Sequence, residues 1–150
     1  MFNYEHKANV LTTEGFYVLA GDDALYQAGL TTQPVPTPMC WTTYEEIPIG
    51  LDAVFVKYYF NPYGKDTTYT NPRKTNRYLY EPTKERALVE TIKFRDYFNE
   101  GILIEALQNY IRNVEDFSLL YEVAEYFGVS RDDVDYWINE AREESDMSMD

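Results

Sequence analysis

Few residues of this sequence have the types and spacing that chemistry requires. The chain contains a single histidine, His6, and a single cysteine, Cys40. A structural zinc ion takes four Cys or His ligands and a disulfide joins two cysteines, so one chain can form neither. Gly21-Asp22-Asp23 has the composition of a metal-binding turn between two strands, but the segment that follows it is helical in character. We therefore expect no bound metal and no cofactor.

Adjacent carboxylates are the other candidates for catalysis, and they occur at Glu45-Glu46 and Asp132-Asp133. Neighbouring acids on a surface are usually solvated charges, whereas an acid–base pair needs a shifted pKa in a cleft. The sequence contains no Gly-x-Ser-x-Gly elbow and no glycine-rich phosphate loop. The protein is therefore predicted not to be an enzyme.

The charge of the chain is strongly negative and unevenly distributed. Asp and Glu number 26 against 13 Lys and Arg, for a net charge of −13. Residues 1–56 have a net charge of −6, residues 57–95 of +5, residues 96–116 of −4 and residues 117–150 of −8. Acidic surfaces are repelled by phosphate backbones and attract basic proteins, although they also simply keep proteins soluble. The charge favours a basic protein partner and leaves the oligomeric state undetermined.

The acidic side chains of the C-terminal third form the predicted partner-binding surface. They are Asp116, Glu122, Glu125, Asp132, Asp133, Asp135, Glu140, Glu143 and Glu144. Charge pairing at such a surface weakens as salt rises, whereas apolar anchors tolerate salt. Tyrosines are favoured at protein interfaces, and the 15 tyrosines of this chain are candidates for such anchors.

The basic region, residues 57–78, interleaves tyrosines with cations. Its candidate contacts to nucleic acid are Lys65, Tyr69, Arg73, Lys74 and Arg77. Aromatic rings that stack on bases, set among cations, are typical of proteins that bind RNA or single-stranded DNA. The acidic flanks and the absence of an RNA-recognition motif argue against this function. The alternative, which we favour, is a loop that pairs with an acidic face of the same protein.

The first half of the chain has the patterns of a small sheet. Runs rich in aromatic and β-branched residues predict strands at 15–19, 39–44, 53–60 and 78–80. Asp22 is the predicted N-cap of a short helix that ends at Gly29. Three prolines between Thr31 and Pro38 predict an extended connector. The polar stretch from Asn61 to Arg77 is predicted to be a loop.

Helical periodicity begins where the last strand ends. Pro82 cannot donate to a sheet ladder, and Thr83 is the predicted N-cap of an amphipathic helix. On this helix Glu90 and Lys93 are expected to face water, while Arg95 falls in the apolar stripe and is expected to reach solvent. Three further helices are predicted from about residue 102 to 111, from 117 to 127 and after the N-cap residue 130.

The segment Leu119 to Ala141 has the spacing of a helix-turn-helix, whose second helix would enter a DNA major groove. A DNA-reading helix offers Arg, Lys, Asn or Gln to the base edges. This one presents acids such as Asp132 and Asp133. We therefore interpret the segment as two helices packed through Ala124, Gly128 and Val129.

These patterns predict an α+β fold, with a small β-sheet in the N-terminal half packed against a helical C-terminal half. Residues 1–14 are predicted to be a lead-in, residues 15–142 a single domain and residues 143–150 a flexible acidic tail. No apolar run reaches the length of about 20 residues that spans a membrane, and the N-terminus lacks the order of a secretion signal. We expect a cytoplasmic protein.

Two segments carry a resemblance to a known family: Ala24 to Thr32 reads ALYQAGLTT, and Pro82 to Phe94 reads PTKERALVETIKF. With the helices that follow, they resemble the C-terminal domain of AbiEi-type antitoxins of bacterial type IV toxin–antitoxin and abortive-infection systems. In that family a helix ending in Gly-Leu-Thr precedes strands, and a capped helix reading roughly Ser-Pro-Glu-Lys-Ala-Leu-Val-Asp opens the helical half. The matching positions are Thr83, Glu85, Ala87, Leu88 and Val89. Glu90 replaces the usual Asp and Lys84 the usual Pro.

The resemblance implies a protein that neutralises a toxin. The family's antitoxins begin with a winged helix-turn-helix that binds the promoter, and only the C-terminal domain is associated with neutralisation. This chain begins too late to contain that DNA-binding domain, so we expect it to bind a protein without repressing an operon. The paired toxins are nucleotidyltransferases with a Gly-Ser turn followed by two acids, and this sequence has no such turn.

Two alternatives stay open beside the antitoxin-like interpretation. One is an acidic inhibitor, encoded by a phage or mobile element, that occupies the nucleic-acid groove of a host immune nuclease in the manner of anti-CRISPR proteins. The other is an RNA- or single-stranded-DNA-binding protein that uses the basic segment 57–78. The first alternative uses the same acidic surface as the antitoxin, and the second uses the opposite charge.

Overall fold

The structure, a computed structural model, describes residues 17–35, 39–43, 54–58, 66–73 and 76–148. Its elements in chain order are β1 (Tyr17–Val18), α1 (Gly21–Gln27), β2 (Met39–Thr43), β3 (Val54–Tyr58), β4 (Thr70–Arg73), β5 (Asn76–Pro82), α2 (Lys84–Lys93), a 3₁₀ turn (Arg95–Tyr97), α3 (Glu100–Asn113), α4 (Ser118–Tyr126) and α5 (Arg131–Ser148). Strands fill the first half and helices the second, so the predicted α+β class is confirmed. The predicted lead-in, residues 1–14, lies outside the described residues.

The strands form two small sheets. In the three-stranded sheet, β5 lies in the middle, parallel to β1 and antiparallel to β4. Strands β2 and β3 form a parallel pair. A bridge between Leu19 and Cys40 joins the two sheets where β1 ends. The single sheet expected from the sequence is therefore divided into two connected sheets.

Strand β4 and the first two residues of β5 lie in the stretch that the sequence predicted to be a loop, so that prediction is wrong for residues 70–73 and 76–77. The polar composition of this stretch hid the strand. Pro72 has no N–H to donate to a sheet ladder. This is tolerated because β4 is an edge strand, whose outer side has no neighbouring strand to bond. The register shifts between Pro72 and Arg73, as expected next to a proline.

Helix α2 lies at the centre of the molecule. It contacts α1, α3, α4, α5 and β5, and every residue from Glu85 to Ile92 is buried. The sequence predicted an amphipathic helix with one solvent-exposed side. That prediction is wrong because elements cover α2 on all sides. The main core therefore joins the two halves of the chain, from Leu19 to Ala141.

A smaller cluster packs below the sheets. Val18, Ala20 and Trp41 are buried there. The Trp41 ring lies 5.2 Å from the ring of Phe94 and 5.8 Å from that of Phe98, in tilted and edge-to-face geometry. Aromatic pairs in these geometries add to the stabilisation from burial. The cluster ties the turn after α2 to strand β2.

The predicted N-caps of two C-terminal helices are confirmed. The Thr83 hydroxyl accepts a hydrogen bond from the backbone N–H of Arg86 at 3.3 Å. The Ser130 hydroxyl accepts from the N–H of Asp133 at 3.1 Å. Both caps satisfy backbone donors that a helix start leaves free. Asn99, which the sequence patterns did not single out, caps α3 in the same way.

Asp22 does not have its predicted role as N-cap of α1. The helix begins at Gly21 after Ala20, which makes no side-chain cap, and Asp22 lies in the first turn. Its neighbour Asp23 is buried, and its carboxylate accepts a hydrogen bond from the backbone N–H of Met39 at 3.0 Å. The two acids of this motif therefore have different surroundings, and Asp23 ties α1 to β2.

Gly29 and Gly128 end α1 and α4 as predicted. Their φ angles are 78° and 74°, in the left-handed region that favours glycine. After Gly29, the N–H of Leu30 donates to the carbonyl of Leu25 at 3.0 Å, and the corresponding bond follows Gly128. This is the Schellman pattern, in which the last free carbonyls of a helix are satisfied.

Helix α5 extends through Ser148, into the segment that the sequence predicted to be a flexible acidic tail. That prediction is corrected for residues 143–148. One side of α5 is buried in the core through Trp137, Ile138 and Ala141. Because this packing anchors the helix, the residues that follow, which include good helix formers such as Glu, continue it. No helix among the described residues is long and apolar enough to cross a membrane.

Gly21 supplies a test of the packing at the start of α1. Its φ is 55°, and a Cβ added there would clash with the Phe98 ring and lie 2.8 Å from the Met39 sulfur. We expect Gly21→Ala to lower the free energy of unfolding by about 2–4 kcal/mol, from backbone strain plus overpacking. Gly29→Ala is the matched control, because a Cβ there meets nothing within 4 Å. It should cost only about 1 kcal/mol.

Urea denaturation, analysed with the same m-value for both variants, measures the two losses in free energy of unfolding. Equal losses for the two alanine variants would contradict close packing around Gly21.

Candidate protein-binding surface

The acidic side chains predicted for partner binding lie on α4, on α5 and in the loop before α4. Asp116, Glu122, Glu125, Asp132, Asp133, Glu143 and Glu144 are exposed, and Asp135 and Glu140 are partly exposed. The structure therefore places all nine at or near the surface. Three of them line one groove and a fourth lines a separate cleft.

A groove with a volume of about 910 Å³ follows α4. Its lining residues are Glu115, Asp116, Phe117, Ser118, Tyr121, Glu122, Glu125, Val129, Ser130 and Arg131. Asp116, Glu122 and Glu125 of the predicted set meet here, and Glu115 joins them. The sequence analysis missed Glu115, although its position beside Asp116 was a signal for it. The groove has four carboxylates and one guanidinium.

The guanidinium of the groove is held by its neighbours. Arg131 stacks over the Tyr121 ring, with 4.0 Å from its Cζ to the ring centre. The Tyr121 hydroxyl donates a hydrogen bond to Asp135, and this bond, with burial, raises the pKa of the tyrosine. The side chains of Glu115 and Glu125 have no hydrogen bond or ion pair to any other described residue. The groove thus keeps an excess of negative charge.

Two other carboxylates of the groove accept hydrogen bonds. Asp116 accepts from the hydroxyl of Ser118 at 2.6 Å and from its N–H at 2.9 Å, and these bonds lower the pKa of Asp116. Glu122 accepts from the Tyr69 hydroxyl at 3.4 Å. Hydrogen bonds to an ionised carboxylate favour its charged form. Asp116 therefore stays negative in neutral solution.

Asp133 belongs to a separate cleft of about 470 Å³. Arg95, Asp96, Glu100, Asp133, Tyr136 and Trp137 line it. Asp132, Asp135, Glu140, Glu143 and Glu144 line neither the groove nor this cleft. The nine acids of the predicted surface therefore do not all line one groove, because successive residues of α5 point in different directions. Arg95 is exposed, as predicted, although its guanidinium also donates to the Ile92 carbonyl.

Exposed apolar side chains accompany the acids. Leu119 is 46% exposed and Tyr126 is 45% exposed, and both lie on α4, seven residues apart. Glu122 lies between them, so the three form one stripe on the outer side of the helix. Tyr136 on α5 is 56% exposed. Sequence reasoning did not single out Leu119, although its spacing to Tyr126 was a readable signal.

A buried ion pair supports the outer surface from below. Arg86 and Glu90 are 0% and 1% exposed, and Arg86 Nε lies 2.8 Å from Glu90 Oε1. The guanidinium also donates to the carbonyls of Asp66 and Thr68, the latter at 2.7 Å. Its Cζ lies 4.8 Å from the centre of the Phe127 ring. The expectation that Glu90 faces water is wrong, because loop residues 66–68 and α4 cover that side of α2.

Among the predicted nucleic-acid contacts, the structure describes the side-chain surroundings of Tyr69. Tyr69 packs its ring edge-to-face on Tyr126 at 5.6 Å and donates to Glu122. Arg73 and Arg77 lie in β4 and β5, and Lys65 and Lys74 lie outside the described residues.

Other contacts hold the same loop against α4. The Tyr126 hydroxyl donates to Asp66 Oδ2 at 2.8 Å and lies 3.1 Å from the Thr68 hydroxyl. The described part of the loop, residues 66–70, is therefore folded onto α4 beside the acidic groove. Tyr69 adopts a φ of 57°, which is uncommon for a residue other than glycine.

Helices α4 and α5 are joined by residues 127–130 in the spacing of a helix-turn-helix. Ala124 and Val129 are buried, but Gly128 is exposed, so the predicted packing is correct for Ala124 and Val129 and wrong for Gly128. Arg131, Asp132 and Asp133 are exposed at the start of α5. Two of these three side chains repel phosphate, which does not suit a helix that reads a DNA groove.

The described residues include no group of three or more His, Cys, Asp or Glu side chains that could hold a metal ion. Asp23 of the Gly-Asp-Asp motif is buried and bonded to the backbone of β2. Cys40 is also buried, and burial raises the pKa of its thiol. A thiol with a raised pKa is a poor nucleophile.

Comparison of the chain with protein-family models and with curated proteins gives no match. The resemblance to AbiEi-type antitoxins therefore stays a prediction. What the geometry itself offers is a negatively charged groove with exposed apolar side chains beside it, and this is the arrangement of a protein-binding surface.

The ion pair below α4 can be tested by removing its cation. Arg86→Met leaves Glu90 buried without its partner and two carbonyls without a donor. We expect the free energy of unfolding to fall by about 3–5 kcal/mol. Arg112→Met is the matched control, since Arg112 is exposed on α3, and it should change stability by less than about 0.5 kcal/mol. Denaturation in urea measures both variants, and a small loss for Arg86→Met would contradict the anchoring role.

The same pair predicts a dependence of stability on pH. Burial outweighs the attraction of Arg86 and raises the pKa of Glu90 from its ordinary 4.5 to about 7. The folded protein therefore holds a proton that the unfolded chain releases above pH 4.5. This contribution is complete below that pH and is lost as the pH rises through about 7.

Gln cannot titrate, so Glu90→Gln should remove this contribution to the pH dependence of the free energy of unfolding. Between pH 5 and pH 8 we expect the wild type to lose roughly 1–3 kcal/mol of its free energy of unfolding relative to Glu90→Gln. Urea midpoints of the two proteins at each pH measure it. A difference that stays constant would show that Glu90 keeps the same protonation state throughout.

Proposed function

We propose that this protein is a non-catalytic, antitoxin-like module that binds and neutralises a basic protein. The observation that supports the proposal is the groove along α4, with four carboxylates against one guanidinium and with Leu119 exposed beside it. Electrostatic complementarity brings a basic partner in quickly, and the apolar side chains then hold it.

The proposed partner is a protein that handles nucleic acid, such as a toxin or a defence effector. Proteins of this kind carry basic patches because they must neutralise phosphates. An acidic surface competes directly for such a patch, so binding and neutralisation become the same event. We propose that the protein acts in the bacterial cytoplasm, where such effectors meet nucleic acid. An inhibitor of a host immune nuclease would use the same surface and differ only in its target.

Direct binding of RNA or single-stranded DNA is less well supported. Tyr69, the aromatic side chain of the predicted contacts that the structure describes, is packed against Tyr126 and bonded to Glu122. A base could stack on its ring only after these contacts were broken. The carboxylates nearby would also repel phosphates.

Partner capture tests the proposal. The full chain, immobilised in low salt and exposed to a lysate of host bacteria, should retain one basic protein in a stoichiometric amount. We expect a salt gradient to release it, since exposed charge pairs are screened as ionic strength rises. An unrelated acidic protein of similar net charge is the control, and it should not retain the same protein. Recovery of no stoichiometric partner would contradict the proposal.

An activity assay tests the non-catalytic part. The pure protein, incubated with nucleoside triphosphates, DNA and RNA, should convert none of them. Turnover that survives further purification would contradict the proposal, because an acidic competitor needs no reaction of its own.

A further inference from the structure

The outer side of α4 carries exposed side chains whose composition specifies what would bind there. Leu119 and Tyr126 are about half exposed on this face, with Glu122 between them. Monomeric proteins can expose single apolar residues freely, but two on one short helix beside a groove indicate an interaction surface. The Tyr126 ring packs against Tyr69 and its hydroxyl bonds to Asp66, but nearly half of Leu119 and of Tyr126 stays exposed.

The groove beside this face runs along α4. Its lining residues on this helix extend from Ser118 to Glu125, which corresponds to about 10 Å along a helix axis, or two turns. Its lining on α4 repeats at the spacing of one helical row, through Ser118, Glu122 and Glu125. Rows of this kind leave the grooves into which the ridges of a second helix pack, with axes about 8–10 Å apart.

The charges specify the chemistry of that second helix. Phe117, Tyr121 and Val129 contribute apolar surface to the groove, and four carboxylates line it with them. The Glu125 carboxylate has no hydrogen bond or ion pair to the rest of the described chain. Lys and Arg side chains fit both parts, because their aliphatic stems pack on apolar surface while their charged ends reach carboxylates. A second copy of this protein does not fit, since it would bring the same carboxylates together.

We propose that the outer face of α4 and the adjoining groove bind an amphipathic basic helix of the partner protein. Leu119 and Tyr126 contact the apolar side of that helix, and Glu122 and Glu125 pair with its Lys and Arg residues. This inference rests on the proposed function and restricts it, because it assigns the contact to α4 and not to the whole acidic surface.

A peptide titration tests the inference without knowledge of the natural partner. The probe is a synthetic helical peptide of about 18 residues, with Lys and Arg along one face and Leu and Ala along the other. A second peptide has the same composition in scrambled order. Calorimetry at physiological salt gives Kd for both, and we expect the amphipathic peptide to bind at least about tenfold more tightly than the scrambled one.

Charge-reversed variants locate the contact. Glu125→Lys lies in the groove, and Glu144→Lys makes the same charge change at an exposed position of α5 outside it. We expect the first to weaken peptide binding by about tenfold or more and the second by less than about twofold. Leu119→Ser should weaken binding about fivefold, from the lost apolar contact. Circular dichroism checks that all three variants stay folded.

The outcomes separate this inference from the proposed function. Equal weakening by Glu125→Lys and Glu144→Lys, or equal binding of the two peptides, would mean attraction by net charge alone and would overturn the α4 site while leaving the acidic binder intact. Absence of peptide binding at low salt would also overturn the α4 site. Self-association of the protein that Leu119→Ser abolishes, measured by sedimentation, would assign the face to a second copy instead. The proposed function itself is tested separately, by the lysate capture and the activity assay.

Discussion

The burial of the Arg86–Glu90 ion pair is the constraint on which the rest of the structure depends. Arg86 is fully enclosed, and an enclosed guanidinium must satisfy its N–H donors locally, since water cannot. It does so with the Glu90 carboxylate and with the backbone carbonyls of Asp66 and Thr68. The pair thereby determines where the segment before β4 passes over α2. That position places β4 at the edge of β5 and Tyr69 against α4.

A second cation fixes the far end of α4. Lys93 donates to the Phe127 carbonyl at 2.6 Å, where the helix ends, and burial lowers the pKa of this lysine. A cation suits the partial negative charge of a helix C-terminus. Arg86 stacks on the Phe127 ring from the same side. Helix α4 is thus held from beneath by two cations of α2, and its outer face stays in solvent.

This arrangement also explains the charge of the groove. The cations of Arg86 and Lys93 bond to groups inside the molecule, and Arg131 is stacked on Tyr121. The carboxylates around α4 are therefore left without those cations as partners. A rigid helix that displays carboxylates and half-exposed apolar side chains can bind a basic partner without first having to become ordered, which lowers the entropic cost of association.

The sequence alone determined the fold class, the helical second half and the caps at Thr83, Gly128 and Ser130, because each of these depends on residues within about one turn of the chain. It also determined the excess of acid. Tertiary structure decided that Glu90 is buried, that residues 70–73 form a strand and that Asp116, Glu122 and Glu125 share a groove while Asp133 does not. Burial and shared surfaces depend on which distant segments cover a side chain, and periodicity along one helix contains no information about its neighbours.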